Sequence, residues 1–234
     1  MTKVAAQVEQ CYREVRESIA RAADQCGRNA DGIQLVAVTK YASDDQIAAL
    51  LALGHRDLGE NRVQQLQARA RSLPDDVRWH MIGHLQRNKV KQVLPVARMI
   101  HSVDSPRLAK ALDDRAAFED RTVDVLLQVN ISGEESKFGA ESDVAVPLAG
   151  QISALPRLRL RGLMTMAPYS DDPEDARPVF VGCRTLYEHV REQRRGEQRR
   201  QFDTLSMGMS GDYRVAIEEG ATIVRIGSAI FNAS

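Results

Sequence analysis

Lys40 ends the short apolar run Ile33-Gln34-Leu35-Val36-Ala37-Val38-Thr39-Lys40. Lysine is strongly hydrated and seldom buried without a partner, so a lysine at the carboxyl end of a core strand points to use of its amine. Desolvation disfavours the charged ammonium, and the neutral amine is a Schiff-base nucleophile. A lysine just past the strand with its head group in water satisfies the same pattern. A second set of candidates lies near the other end of the chain. Ser206-Met207-Gly208-Met209-Ser210-Gly211-Asp212 leads into a helical pattern from Tyr213, and Arg225-Ile226-Gly227-Ser228 follows. Small residues and hydroxyls before a helix leave backbone N–H groups and side-chain donors for an anion. Ser210 or Asp212 as a simple helix cap, and Gly227 as a turn residue, is the plainer account. Arg225 shares strand parity with Ile223 and Gly227; an ion pair with Glu218 or Glu219 is its alternative fate.

These residues are positioned by a repeated alternation. Strand patterns fall at 33–40, 57–61, 77–83, 99–105, 122–130, 158–166, 204–210 and 222–228. Helical patterns at 44–53, 62–72, 86–93, 106–119, 142–155, 173–195 and 212–219 separate them, with Pro147 a candidate kink. Strict alternation implies a parallel sheet, and eight strands close a single-domain (β/α)8 TIM barrel. An open doubly wound sheet is the alternative, but no GxGxxG turn follows the first strand. Val4, Val8, Cys11, Val15, Ile19 and Ala22 form one apolar stripe on an extra leading helix that stops near Gly27. The expected domain is therefore 1–234, with a leading helix at 1–28 and the barrel at 33–234. Such barrels carry their site at the carboxyl ends of the strands, with phosphate held by the loops after strands seven and eight. An amine, a guanidinium and a phosphate cradle around one cavity suit pyridoxal 5′-phosphate.

Composition removes other classes. Lys plus Arg and Asp plus Glu number 32 each in 234 residues, a neutral balance that argues against nucleic acid or an acidic membrane as partner. Cys11, Cys26 and Cys183 are scattered and odd in number, so neither a disulfide framework nor a zinc site is expected and a reducing cytoplasm fits. The charged N-terminus is not a signal peptide, and no apolar run approaches the ~20 residues that span a bilayer. His80 and His84 straddle a strand end and a loop rather than one helix face, and His55, His101 and His189 lack ligand-like companions. The arginine-rich stretch 191–200 reads as a solvated helix end and loop rather than an interaction module.

The segments LVAVTK, DLGEN, RWHMIGHLQRNK, LQVNISGEESKFG, LRGLMTM, LSMGMSGDYRVAIEEG and TIVRIGSAIF resemble the pyridoxal-phosphate homeostasis family. That group's barrel is similar to the N-terminal domain of alanine racemase. The resemblance covers nearly all of the chain after residue 30. It implies pyridoxal 5′-phosphate held covalently as a Schiff base on Lys40, with Arg225 facing the pyridine nitrogen. It further implies that Ser206, Ser210, Gly227 and Ser228 hold the phosphate, and that Asn61, His80 and Met164 line the ring pocket. Lys137 would assist in handling the cofactor. The family's usual ending departs here at Ser228 and Asn232, where threonine and glycine are common.

The implied function is storage and release of the cofactor in vitamin B6 homeostasis, in the cytoplasm and as a monomer, with apo-enzymes as recipients. Strong catalytic activity is not expected, because an arginine cannot accept the ring nitrogen's proton and so cannot deepen the electron sink. Racemases of similar barrel take a tyrosine from a second domain, which this chain is expected to lack; Tyr41, Tyr169 and Tyr213 lie near strand ends as candidate substitutes. The rivals are a racemase or lyase using the same cofactor, and a cofactor-free class I aldolase.

Overall fold

The run that ends at Lys40 forms β1 (Gln34–Val38), whose central Leu35, Val36 and Ala37 are buried. The structure, a computed structural model, describes residues 2–134 and 138–231. Seven further strands of the barrel follow the predicted alternation: β2 (Asp57–Glu60), β3 (Arg78–Met81), β4 (Ala97–Val103), β5 (Val123–Asn130), β7 (Leu158–Met164), β8 (Thr204–Ser206) and β9 (Ile223–Ile226). A two-residue β6 (Ala140–Glu141), not predicted, adds to β5 outside the ring. Every pairing is parallel, in the order β4-β3-β2-β1-β9-β8-β7-β5, and β4 pairs with β5 to close the ring. The fold is the expected closed (β/α)8 barrel.

The helices form where apolar stripes and caps coincide. α2 (Asp44–Ala52) starts with a capping box in which Ser43 and Gln46 satisfy each other's backbone amides. α5 (Pro106–Phe118) starts with Ser105 as cap and proline at its first position. The remaining helices are α1 (Lys3–Gln25), α3 (Val63–Ser72), α4 (Val90–Val93), α6 (Ser142–Ser153), α7 (Arg177–Glu192), α8 (Gly196–Gln201), α9 (Tyr213–Glu218) and α10 (Ser228–Phe231). α6 continues past Pro147. The leading helix α1 buries Val8, Val15, Ile19 and Ala22, as the stripe requires, against α2, α9 and α10; Val4 stays exposed.

Two corrections concern the arginine-rich stretch. Residues 196–201 form α8 rather than a loop. Arg194 is buried, stacks 4.4 Å from the Phe202 ring centroid and donates to Ala149 O at 3.3 Å. A guanidinium is weakly hydrated and planar, so it packs on an aromatic face where a lysine would stay in water.

The barrel interior is filled in layers. Val36, Met99, Leu126, Met164 and Ile223 form an inner apolar cluster, separate from the larger core between sheet and helices. Below it, charges close the amino-terminal mouth: Asp124 meets Arg159 at 2.6 Å and Arg161 at 3.3 Å, and Asp57 takes a bidentate Arg78 at 2.8 and 2.6 Å. Burial alone would raise the Asp57 carboxyl, but hydrogen bonds from Arg78 and His80 outweigh it and hold it well below the usual carboxylate range. Because folding lowers this pKa, the stabilisation is complete above the unfolded value of about 3.9 and is lost as the pH falls below it towards the folded value. Acid unfolding curves should therefore be shallower for Asp57→Asn than for wild type below about pH 4; superimposable curves would contradict this role. Among the described residues no helix is long and apolar enough to cross a membrane.

Candidate functional site

Register brings the two candidate regions together. Val36 lies opposite Arg225 and Ala37 opposite Ile226 across β1 and β9, so Lys40 emerges beside Gly227 and Ser228 at the carboxyl end of the barrel. Val36 and Ile223 both lie in the inner cluster; by alternation Val38 and Lys40 follow Val36 inward, and Arg225 and Gly227 follow Ile223. Lys40, Asn61, Ser210, Arg225, Gly227 and Ser228 line one cavity of about 420 Å³. Lys40 is half-buried, its Nζ stands 4.9 Å from the Tyr41 ring centroid, and it has no ion-pair partner among the described residues.

The turn that presents Lys40 is tied to α3. Arg69 donates to Thr39 O at 2.5 Å and Ala42 O at 2.8 Å, and Gln65 donates to Lys40 O at 3.1 Å. Arg69 also pairs with Glu60, which is fully buried and accepts from Thr39 Oγ1 at 2.5 Å. Arg69→Ala leaves the Glu60 charge uncompensated, so we expect a loss of about 3 kcal/mol in urea unfolding. Adding Glu60→Gln should recover part of it; a variant as stable as wild type would show the clamp to be idle.

Arg225 is 3% exposed and donates from Nη1 to Ser206 Oγ at 2.7 Å and from Nη2 to Thr165 O at 2.8 Å. Burial pulls its pKa down to about 10, with Asp212 acting in the opposite direction, so it stays charged at neutral pH. The alternative partners are committed elsewhere: Glu218 pairs with Arg177 at 2.6 Å, and Glu219 with Arg177 and Arg184, both at 2.8 Å. Asp212 lines the same cavity, but among the described residues no carboxylate is ion-paired with the buried guanidinium, which favours an anionic or electron-rich ligand.

The two loops meet through Ser210. Its Oγ accepts from Gly227 N at 3.2 Å and Ala229 N at 3.3 Å, so it joins the loops and does not cap α9. Asp212 precedes α9 and accepts from Met209 N at 2.5 Å instead. Gly208 is required here: its φ is +92°, and a Cβ would lie 2.6 Å from Ala216 Cβ. At Gly227 a Cβ would come within 2.9 Å of Val38 O, which would wedge the loop away from β1.

The other predicted residues lie deeper. Met164 is fully buried in the inner cluster, Ser206 lies beneath Arg225, and His80 sits lower still, beside Asp57. The structure does not bring these three to the cavity wall. Tyr41 and Tyr169, 78% and 91% exposed, stand at the cavity rim, and Tyr213 is buried away from it. Lys137 and Asn232 lie outside the described residues. Sequence reasoning set His101 aside, yet its Nε2 lies 2.9 Å from His80 Nδ1. The signal was its parity with Met99, two residues earlier in β4. Among the described residues no group of three or more His, Cys, Asp or Glu could hold a metal ion.

Comparison with known proteins shows the family. The family model for the N-terminal domain of alanine racemase matches residues 13–234. The chain is 40% identical over 222 residues to the pyridoxal phosphate homeostasis protein of Aquifex aeolicus, covering 93% of this chain and 94% of that one. The crystal structure of an unknown protein from Bifidobacterium adolescentis is 37% identical, with a TM-score of 0.92 and coverage of 99% of this chain and 97% of that one. PipY of Synechococcus elongatus, solved with PLP bound, is 34% identical, with a TM-score of 0.77 and coverage of 91% of this chain and 99% of that one. The chain belongs to the alanine racemase N-terminal-domain family and, within it, to the pyridoxal phosphate homeostasis proteins.

Proposed function

We propose that this protein binds pyridoxal 5′-phosphate covalently through Lys40 and takes part in its homeostasis, without strong catalytic activity of its own. The observation that carries this reading is one cavity holding an amine without an ion-pair partner among the described residues, a buried guanidinium and two serine-linked loops. The donor set fits the cofactor: Lys40 for its aldehyde carbon, Arg225 for its ring nitrogen, and Ser228 with the loops tied by Ser210 for its phosphate. When bound, the cofactor supplies an electrophilic carbon joined to an electron-withdrawing ring.

The chain's own residues restrain that chemistry. Arg225 keeps its charge at neutral pH and offers only donors, so it directs a hydrogen bond at the ring nitrogen without delivering a proton to it. The electron sink stays shallow, which suits a holder more than a racemase or lyase. Tyr41 and Tyr169 are exposed at the rim, and the Tyr169 hydroxyl donates to Asp171 at 3.0 Å. We assign residues 1–234 to one cofactor-binding domain, working as a cytoplasmic monomer that passes the cofactor to apo-enzymes.

Titration of the purified protein with pyridoxal 5′-phosphate should develop a near-visible band that saturates at one equivalent. A protein that stays colourless overturns the proposal and favours a cofactor-free aldolase. Measurable turnover across a panel of D- and L-amino acids would overturn the non-catalytic part alone.

A further inference from the structure

Beneath the cavity a file of buried side chains crosses the barrel from one mouth to the other. Arg225 Nη1 donates to Ser206 Oγ at 2.7 Å, and Ser206 Oγ lies 3.0 Å from His101 Nδ1. His101 Nε2 lies 2.9 Å from His80 Nδ1, and His80 Nε2 lies 3.2 Å from Asp57 Oδ1. Asp57 takes both arms of Arg78, whose side chain is half exposed at the amino-terminal mouth. Five strands, β9, β8, β4, β3 and β2, each contribute one member from Arg225 to Asp57.

His101 enters this file by its inward parity with Met99, two residues earlier in β4, and a β-bulge lies at the same point. Ile100 pairs with Val125 and Val103 with Leu127, so His101 and Ser102 together span the interval that Leu126 alone spans on β5. Such an extra residue bends the strand and shifts the register beyond it.

The ends of the file fix its direction. A guanidinium can only donate, and the ionised Asp57 can only accept. Burial above all holds His101 well below its ordinary pKa, so it is neutral and has one donor and one acceptor nitrogen. One assignment satisfies every member: Arg225 to Ser206, Ser206 to His101, His101 to His80, His80 to Asp57. A further proton on His80 reverses His101, gives Ser206 Oγ two donors and leaves the hydroxyl proton without an acceptor in the file. Among the described residues the guanidinium has one other hydrogen-bond partner, Thr165 O, so its aim depends on Ser206 accepting.

We propose that His101 and His80 are positioning residues for the cofactor: they draw the Ser206 hydroxyl proton away from Arg225 and so lock the guanidinium towards the ring. In this account Ser206 orients Arg225 and does not hold phosphate. The inference rests on the binding of pyridoxal 5′-phosphate proposed above.

The test is titration with pyridoxal 5′-phosphate, read as affinity and as the position of the near-visible band, with thermal melting as the check on folding. His101→Met, similar in size but without a donor, should weaken binding about tenfold, the scale of one lost hydrogen bond to a charged group, and move the band. Ser206→Ala should do the same, and the double variant should be no worse than either single one, because both break one file. His101→Gln, whose amide both donates and accepts, should recover most of the loss. Wild-type affinity and band in Ser206→Ala would overturn the proposal even if His101→Met fails to fold. A His101→Gln protein that melts like wild type yet binds as poorly as His101→Met would also overturn it. Absence of the band in wild type would instead overturn the cofactor reading, and this inference with it.

Discussion

Lys40→Ala should lose the near-visible band and bind pyridoxal 5′-phosphate at least about a hundredfold more weakly, a loss of roughly 2.8 kcal/mol. The fold should be unaffected, because Lys40 is half-buried past the end of β1 and its turn is held by backbone contacts to Arg69 and Gln65. Arg225, Ser210 and Gly227 remain in the variant, so residual non-covalent binding is expected, driven by the cradle and the buried positive charge. Spectral titration with parallel thermal melts checks both parts. Equal affinity and an unchanged band would remove Lys40 from the account.

Arg225→Glu carries the second large effect. It removes the guanidinium that serves Ser206 Oγ and Thr165 O together and puts in its place a shorter carboxyl with at most one donor. A stability loss of about 3 kcal/mol follows from the unpaired buried groups. The glutamate, raised by burial, can give the ring nitrogen the proton that arginine withholds. We expect a shifted band, and α-proton exchange of amino acids in deuterated buffer about tenfold faster than wild type, equivalent to 1.4 kcal/mol in the barrier. Unchanged band and exchange in a folded variant would mean that Arg225 neither meets the ring nor restrains its chemistry.

What the sequence made legible was local. The barrel follows from strands and helices whose apolar periods can be read in windows of ten residues, and Lys40 from its place at the end of one of them. Opposition of Val36 and Arg225 then follows from β1 closing against β9, which parity anticipated. The contacts across the barrel were not legible. The Glu60–Arg69 clamp joins a strand to the following helix through one buried carboxylate, and nothing in DLGEN distinguishes that glutamate from a solvated one. His101 looked solitary because its partners His80 and Ser206 are 21 and 105 residues away in the chain. The bulge at His101 and Ser102 adds one residue without disturbing the apolar pattern, so the register shift shows only in the paired strands. The same distance effect displaced Ser206: in the chain it heads a phosphate-like loop, whereas in space it stands between Arg225 and His101. Arg194 looked solvated because its stacking partner Phe202 lies beyond an intervening helix.

Borohydride reduction of the protein loaded with one equivalent of pyridoxal 5′-phosphate, followed by peptide mapping, tests the central assignment most directly. The account predicts a single pyridoxyl group on the peptide that contains Lys40, absent from Lys40→Ala treated in the same way. Label confined to other lysines, such as Lys89, Lys91 or Lys110, would contradict it.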